Sequence, residues 1–235
     1  MIIAVSDLPS QQAIFDSLVA AAKNGNLELD SSVQRILDYK AAYIKPLNLN
    51  SADANPLNIA QVAQTSVTAL RLTQTQWPLH DSKPLLVDFA LAKPSQVEGQ
   101  PPATWVGELW LKTFGPQTLL QVSTNPTQAE IPQVLKVAKR ANSLVLATRD
   151  AFLNPAQATL VKDLIAVGVP AFVVALRGPY DLVSFPQVSN YLLTYSDSYA
   201  SVAALIQAFK GVNSINGKLP VAIPGLYQIG AGLTS

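Results

Sequence analysis

LVLATRDAFLNPAQATLVKDLIAVGVPAFVVALRGPYDL, residues 144–182, decides the fold. It opens on the unbroken apolar run 144–147 and closes on a second run, 172–176. A strand with one wet face alternates apolar and polar residues, whereas an unbroken run suits a strand covered on both faces. Between the runs, Pro155 sits where a helix starts, and apolar residues continue to Ile165. Strand, helix of about ten residues, strand is the signature of parallel pairing with the helix laid over the sheet.

Working outward, the same alternation continues. Upstream come a strand at 85–91, a helix at 105–114, a strand at 119–122 and a helix at 131–140; downstream come a strand at 191–195 and a helix at 199–209. The predicted class is α/β, a mostly parallel sheet of about five strands sandwiched by helices. Before residue 84 the pattern changes. Residues 2–5 read as a short buried strand, followed by a helix over 11–23 capped by Ser10 and stopped by Asn24-Gly25. A second helix opens at Asp30, with Val33, Ile36, Leu37 and Lys40 at helical spacing, and ends at Ile44-Lys45-Pro46. Residues 46–56 are polar and bounded by prolines, as a linker is. A third helix is expected from Asn58, with Ala60, Val62, Ala63, Val67 and Leu70 as its apolar residues. A lone strand has no ladder partner. The first 45 residues are therefore expected to belong with something upstream of Met1, and the division is 1–45, 46–83 and 84–235.

Composition narrows the function classes. Of the 235 residues, 49% are hydrophobic and 13% charged, with a formal net charge of +1. Such a chain buries a core but offers no electrostatic footprint for nucleic acid. There is no cysteine, so disulfides and thiolate chemistry are excluded. No apolar run approaches the ~18 residues of a membrane span. The apolar start, residues 1–5, lacks a basic flank and breaks at once, unlike a signal peptide. Localisation stays open, because a targeting signal would lie upstream of Met1.

Three segments resemble glycoside hydrolase family 3, and within it the β-N-acetylglucosaminidase branch. LDSSVQRILDYK, residues 29–40, is similar to the helix with which that family leaves its (β/α)8 barrel, with Arg35 and Lys40 at its usual basic positions. Residues 154–182 resemble its helix–strand unit ending in Pro-Tyr-Asp, and GKLPVAIPGLYQIGAGL, residues 217–233, its closing segment. The resemblance implies that residues 1–45 are a helical remnant of a truncated barrel and residues 84–235 the α/β sandwich that follows it. It implies a retaining enzyme acting on glycans containing β-linked N-acetylglucosamine. The aspartate nucleophile and histidine acid/base of that branch lie on the barrel, upstream of this chain. The β-glucosidase branch instead takes a glutamate from the sandwich. The corresponding stretch, Thr148-Arg149-Asp150-Ala151-Phe152, has none, so no catalytic residue is assigned. No metal or organic cofactor is implied. The partners expected are the glycan and the missing barrel. A standalone carbohydrate- or protein-binding module and a β-glucosidase-branch fragment are the alternatives.

Four residues are candidates for substrate proximity. Ser6 and Asp7 end the first expected strand, where a parallel barrel carries its active site; the competing reading is a strand-end turn. Arg149 and Asp150 follow a sandwich strand at the end where open α/β sheets bind ligands, and an ion pair or helix cap competes there. In Arg177-Gly178-Pro179-Tyr180-Asp181 a pinned turn is favoured over chemistry. His80, the single histidine, reads as a linker residue, since one ligand holds no zinc. Glu98, Glu108 and Glu130 form no readable carboxylate pair. Gly225, Gly230 and Gly232 read as hinges for a terminal segment folding back, and Trp105 and Trp110 as helix-to-sheet packing rather than sugar platforms.

Overall fold

The computed structural model describes residues 8–44, 58–73, 77–79, 83–90 and 104–234. The expected first strand, the linker, Ser6, Asp7, His80 and Glu98 lie outside them. The chain divides into two compact units, one holding the first two helices and the other the sheet.

The sheet is α/β as expected, and mostly parallel. Its strands are β1 (Thr68–Arg71), β2 (Leu85–Ala90), β3 (Leu119–Ser123), β4 (Leu144–Thr148), β5 (Ala171–Ala175) and β6 (Tyr191–Leu193), in the order β1-β6-β5-β4-β2-β3. Only β1 runs antiparallel, pairing Thr68 with Leu193 and Ala69 with Leu192. Every residue of β4 is buried, which is why its run is unbroken. Its side chains nevertheless alternate. Leu144 and Leu146 enter one core with Val134, Leu160 and Leu164, while Val145 and Ala147 enter the other with Val106, Trp110 and Phe209. The first core lies under α5 (Ile131–Ala138) and α6 (Pro155–Ala166). The second lies under α3 (Ile59–Ser66), α4 (Trp105–Phe114) and α7 (Tyr199–Phe209). Each fully buried Leu, Val or Phe stabilises the fold by roughly 1.5–3 kcal/mol, so both faces hold the sheet. Side-chain caps set the helix starts: Thr104 accepts from the Gly107 N–H at 3.1 Å and Asn154 from the Gln157 N–H at 3.3 Å.

Two expectations need correction. The helix expected from Asn58 through Leu70 ends at Ser66, and Thr68–Arg71 is a sixth strand. Val67 and Leu70 are buried as sheet residues, not as a helical stripe. The helix expected from Ser10 begins at Leu8, so Ser10 lies inside its first turn and is no cap.

In the other unit, α1 (Leu8–Lys23) and α2 (Asp30–Tyr43) are joined by a turn in which Gly25 takes φ +70°. Ser31 donates to Glu28 Oε2 at 2.6 Å across the start of α2. Neither helix has a buried residue.

The terminal segment does fold back onto the sheet. The Leu219 N–H bonds the Ala231 carbonyl at 2.8 Å, and the Leu233 N–H bonds the Ala69 carbonyl of β1 at 2.8 Å. A side chain on Gly232 would collide with the Gly217 carbonyl, and Gly225 and Gly230 hold φ of +73° and +83°.

Candidate functional site

Parallel strands open all their C-terminal ends at one edge. Connections leave the sheet in opposite directions from β2 and β4, so a topological switch point lies between them, where α/β sheets bind ligands. Asp88 lies in β2 and Arg149 directly follows β4, so their ion pair bridges the switch point. The Arg149 Nη1 lies 2.6 Å from Asp88 Oδ1 and also donates to the Phe89 carbonyl at 2.8 Å. Thr104 donates its hydroxyl to the other Asp88 oxygen. From Arg149 the charges continue outward: its Nε reaches Asp197 Oδ2 at 3.1 Å, the Arg177 Nε reaches the same oxygen at 3.3 Å, and Arg177 Nη1 lies 4.0 Å from Asp150.

This chain of alternating charge runs from core to solvent. Side-chain exposure is 0% at Asp88, 3% at Arg149, 26% at Asp197, 29% at Arg177 and 40% at Asp150. A buried arginine is tolerated only when paired, and Arg149 has two carboxylates. Its backbone is fixed as well: Gln157 accepts from the Arg149 N–H at 2.9 Å and donates to its carbonyl at 3.0 Å. Asp150 then turns with φ +53°, a region that non-glycine residues enter at a cost.

A fourth carboxylate, Asp181, is fully buried in the 3-10 helix Pro179–Ser184. It accepts from the Thr148 hydroxyl at 2.7 Å and the Phe152 N–H at 3.2 Å, tying together the segments after β4 and β5. Burial pushes its carboxyl up to about 6, against the hydrogen bonds from Thr148 and Phe152. Asp197 behaves oppositely. Burial raises it, but the hydrogen bond from Arg149 and the charges of Arg177 and Arg149 hold it below the usual carboxylate range. Among the described residues, the edge therefore presents the oxygens of Asp197 and Asp150 and the Arg177 guanidinium outward, while Asp181, with its raised carboxyl, is closed off from solvent. Such an arrangement can donate to and accept from the hydroxyls of a ligand.

Of the candidate residues, Arg149 and Asp150 both fall in this site, Arg149 as its buried anchor and Asp150 at its rim. Glu108 is an exposed residue of the first turn of α4. Glu130 accepts from the Thr127 N–H at 2.7 Å in a turn before α5. Trp110 is buried and donates to the Pro84 carbonyl at 3.3 Å, whereas Trp105 is 41% exposed. Asp88, Asp197 and Thr104 were not anticipated from sequence. A carboxylate inside the apolar strand LLVDFA was the available signal, since a buried charge implies a partner.

No family model matches the sequence, and no curated protein matches it. Solved structures do. A family 3 β-N-acetylglucosaminidase from Paenibacillus sp. matches with TM-score 0.62 and 25% identity, over 93% of this chain and 44% of that enzyme. A fungal multi-domain family 3 β-N-acetylglucosaminidase matches with TM-score 0.64 and 21% identity, over 95% of this chain and 27% of that one. A β-glucosidase involved in saponin metabolism from intestinal bacteria matches with TM-score 0.59 and 16% identity, over 95% and 45%. The latter two speak for the fold alone. The resemblance to family 3 glycoside hydrolases thus holds in three dimensions, and the chain spans less than half the length of these enzymes.

Proposed function

We propose that this chain is a non-catalytic part of a retaining family 3 glycosidase acting on β-linked N-acetylglucosamine, and that its strand-end edge forms one wall of the substrate cleft. The observation that carries the reading is the chemistry of that edge. A retaining glycosidase needs two carboxyl groups about 5–5.5 Å apart, one of them with a raised pKa and able to reach the leaving oxygen. Asp181 has the raised pKa and is fully buried; Asp197 is accessible and held ionised. Neither meets both conditions. Asp150, Arg177 and Asp197 present acceptors and donors in a fixed array, as a sugar-binding wall requires, and Arg149 and Asp88 hold that array in place. The match at 25% identity to a β-N-acetylglucosaminidase supports the substrate class. On this reading the nucleophile and acid/base are supplied by a barrel, and α1 and α2 belong with it.

The test is hydrolysis of a chromogenic β-N-acetylglucosaminide by the 235-residue chain and by the longest polypeptide its gene encodes. Activity confined to the longer polypeptide, and reduced there by Asp150→Ala or Arg177→Ala, is expected. Turnover by the 235 residues alone would overturn the non-catalytic reading.

A further inference from the structure

Trp105 and Trp110 differ in sequence only by position, and the fold gives them opposite environments. Trp110 lies in the core against Phe209, with ring centroids 5.8 Å apart. Trp105 is 41% exposed, and its ring meets that of Tyr199, 53% exposed, at 5.4 Å and 87°. A perpendicular pair covers only one face of one ring, which leaves aromatic surface open to solvent. The two residues are the first of α4 and α7, so both stand at the strand-end edge. Each is also a chain neighbour of the charged site. Trp105 follows Thr104, which bonds Asp88, and Tyr199 comes two residues after Asp197.

A groove of about 330 Å³ lies between α4 and α7, and Tyr199 of the pair is part of its lining. Leu109 lines it beside Tyr199, and Lys112, Thr113, Gln207 and Lys210 supply polar groups along it. The spacing explains the lining: Leu109 and Lys112 share one face of α4, with Trp105 one turn before them, and Tyr199 and Gln207 share one face of α7, with Lys210 capping its end. Its charged lining groups are two ammonium donors, with no carboxylate among them, which complements a ligand rich in oxygen acceptors.

We propose that the Trp105–Tyr199 pair and the adjoining groove form a glycan-binding subsite beside the charged edge. One pyranose ring of a β-linked chain lies with its apolar C–H face on the aromatic pair. The following sugar enters the groove, where Lys112, Lys210 and Gln207 donate to hydroxyl and acetamido oxygens and Thr113 accepts. Thr113 already donates its hydroxyl proton to the Leu109 carbonyl at 2.8 Å, so it faces a ligand as an acceptor. The inference rests on the glycosidase reading for its substrate class and adds to it a second point of attachment, reached only by oligosaccharides.

The test is a fluorescence and calorimetric titration of the 235-residue chain with chitotetraose, repeated with Trp105→Ala, Tyr199→Ala and Lys112→Ala. Saturable binding is expected, weakened about tenfold or more in the two aromatic variants and several-fold in Lys112→Ala. Because both rings are exposed, the thermal midpoints should stay near the parent value, which separates lost binding from lost folding. Absence of saturable binding, or equal affinity in both aromatic variants, would overturn the proposal. So would tight binding of polyglutamate in place of chitotetraose, which would assign the lysines to an acidic protein. The chromogenic monosaccharide assay reports on the glycosidase reading separately, since a single sugar does not extend into the groove.

Discussion

Two layers of polar groups meet at the strand-end edge, and they solve the burial of charge differently. In the lower layer Asp181 pairs with no cation among the described residues; it is served by Thr148 and the Phe152 N–H, and its carboxyl rises to about 6. In the upper layer Asp88 and Asp197 share Arg149, and Asp197 also takes Arg177, so Asp197 stays ionised below the usual range. The difference teaches that burial alone does not decide the protonation of a carboxylate. The presence of a guanidinium within hydrogen-bonding reach does.

The largest effect that could break this contrast is removal of the innermost charge. Asp88→Ala leaves Arg149 buried with one partner fewer, and should destabilise the sheet unit by about 3–5 kcal/mol in urea unfolding. A loss under 1 kcal/mol would mean that Asp197 and the Phe89 carbonyl suffice.

Next comes the pH dependence. The folded-state value of Asp181 lies above its unfolded value, so between about 4 and 6 the folded chain binds more protons than the unfolded one. Its contribution is fully present below that window and declines as pH rises through it. Asp197, with a depressed value, works the other way: its contribution is present above the ordinary carboxylate range and is lost as pH falls below it. Unfolding free energies of the parent and of Asp181→Asn, compared from pH 4 to 7, should shift relative to each other by roughly 2 kcal/mol in favour of the variant at the high end. A pH-independent difference would show that Asp181 keeps an ordinary pKa. Asp197→Asn should show its largest relative gain below pH 4.

The smallest expected effect is at the exposed end. Arg177→Ala should change stability by about 1 kcal/mol or less, because its pairs are partly solvated. Its consequence should appear instead in the KM of the longer polypeptide for the chromogenic glycoside. An unchanged KM alongside a large stability loss would reverse the roles assigned to the two ends.

The parts of this architecture that were legible in sequence are those in which local pattern and tertiary environment agree. The runs in β4 and β5 announced strands covered on both faces, and Pro155 after Asn154 announced the start of α6. β1 was not legible, since Val67 and Leu70 fit a helical stripe as well as a strand. Antiparallel pairing with Leu192 and Leu193, more than a hundred residues away, decides between them. At the site, Arg149 and Asp150 were found by their position after a strand. Asp197, within Tyr195-Ser196-Asp197-Ser198-Tyr199, carries no local mark, because its partners come from the segments following two other strands. Trp105 and Trp110 illustrate the same limit. Residue type gave both one reading, and only the rotation of α4 against the sheet separates them.

The return of the chain onto β1 has a consequence for solubility. A terminal strand of a sheet is a template on which another polypeptide can crystallise its own backbone, and natural sheets must blunt it. Here the carbonyls of Val67 and Ala69, two residues apart and so facing the same way, are taken up by the N–H groups of Gly217 and Leu233. The closing glycines therefore act as a selvedge: they let the chain lie flat enough to hem that flank, while β3 ends the sheet on the other side.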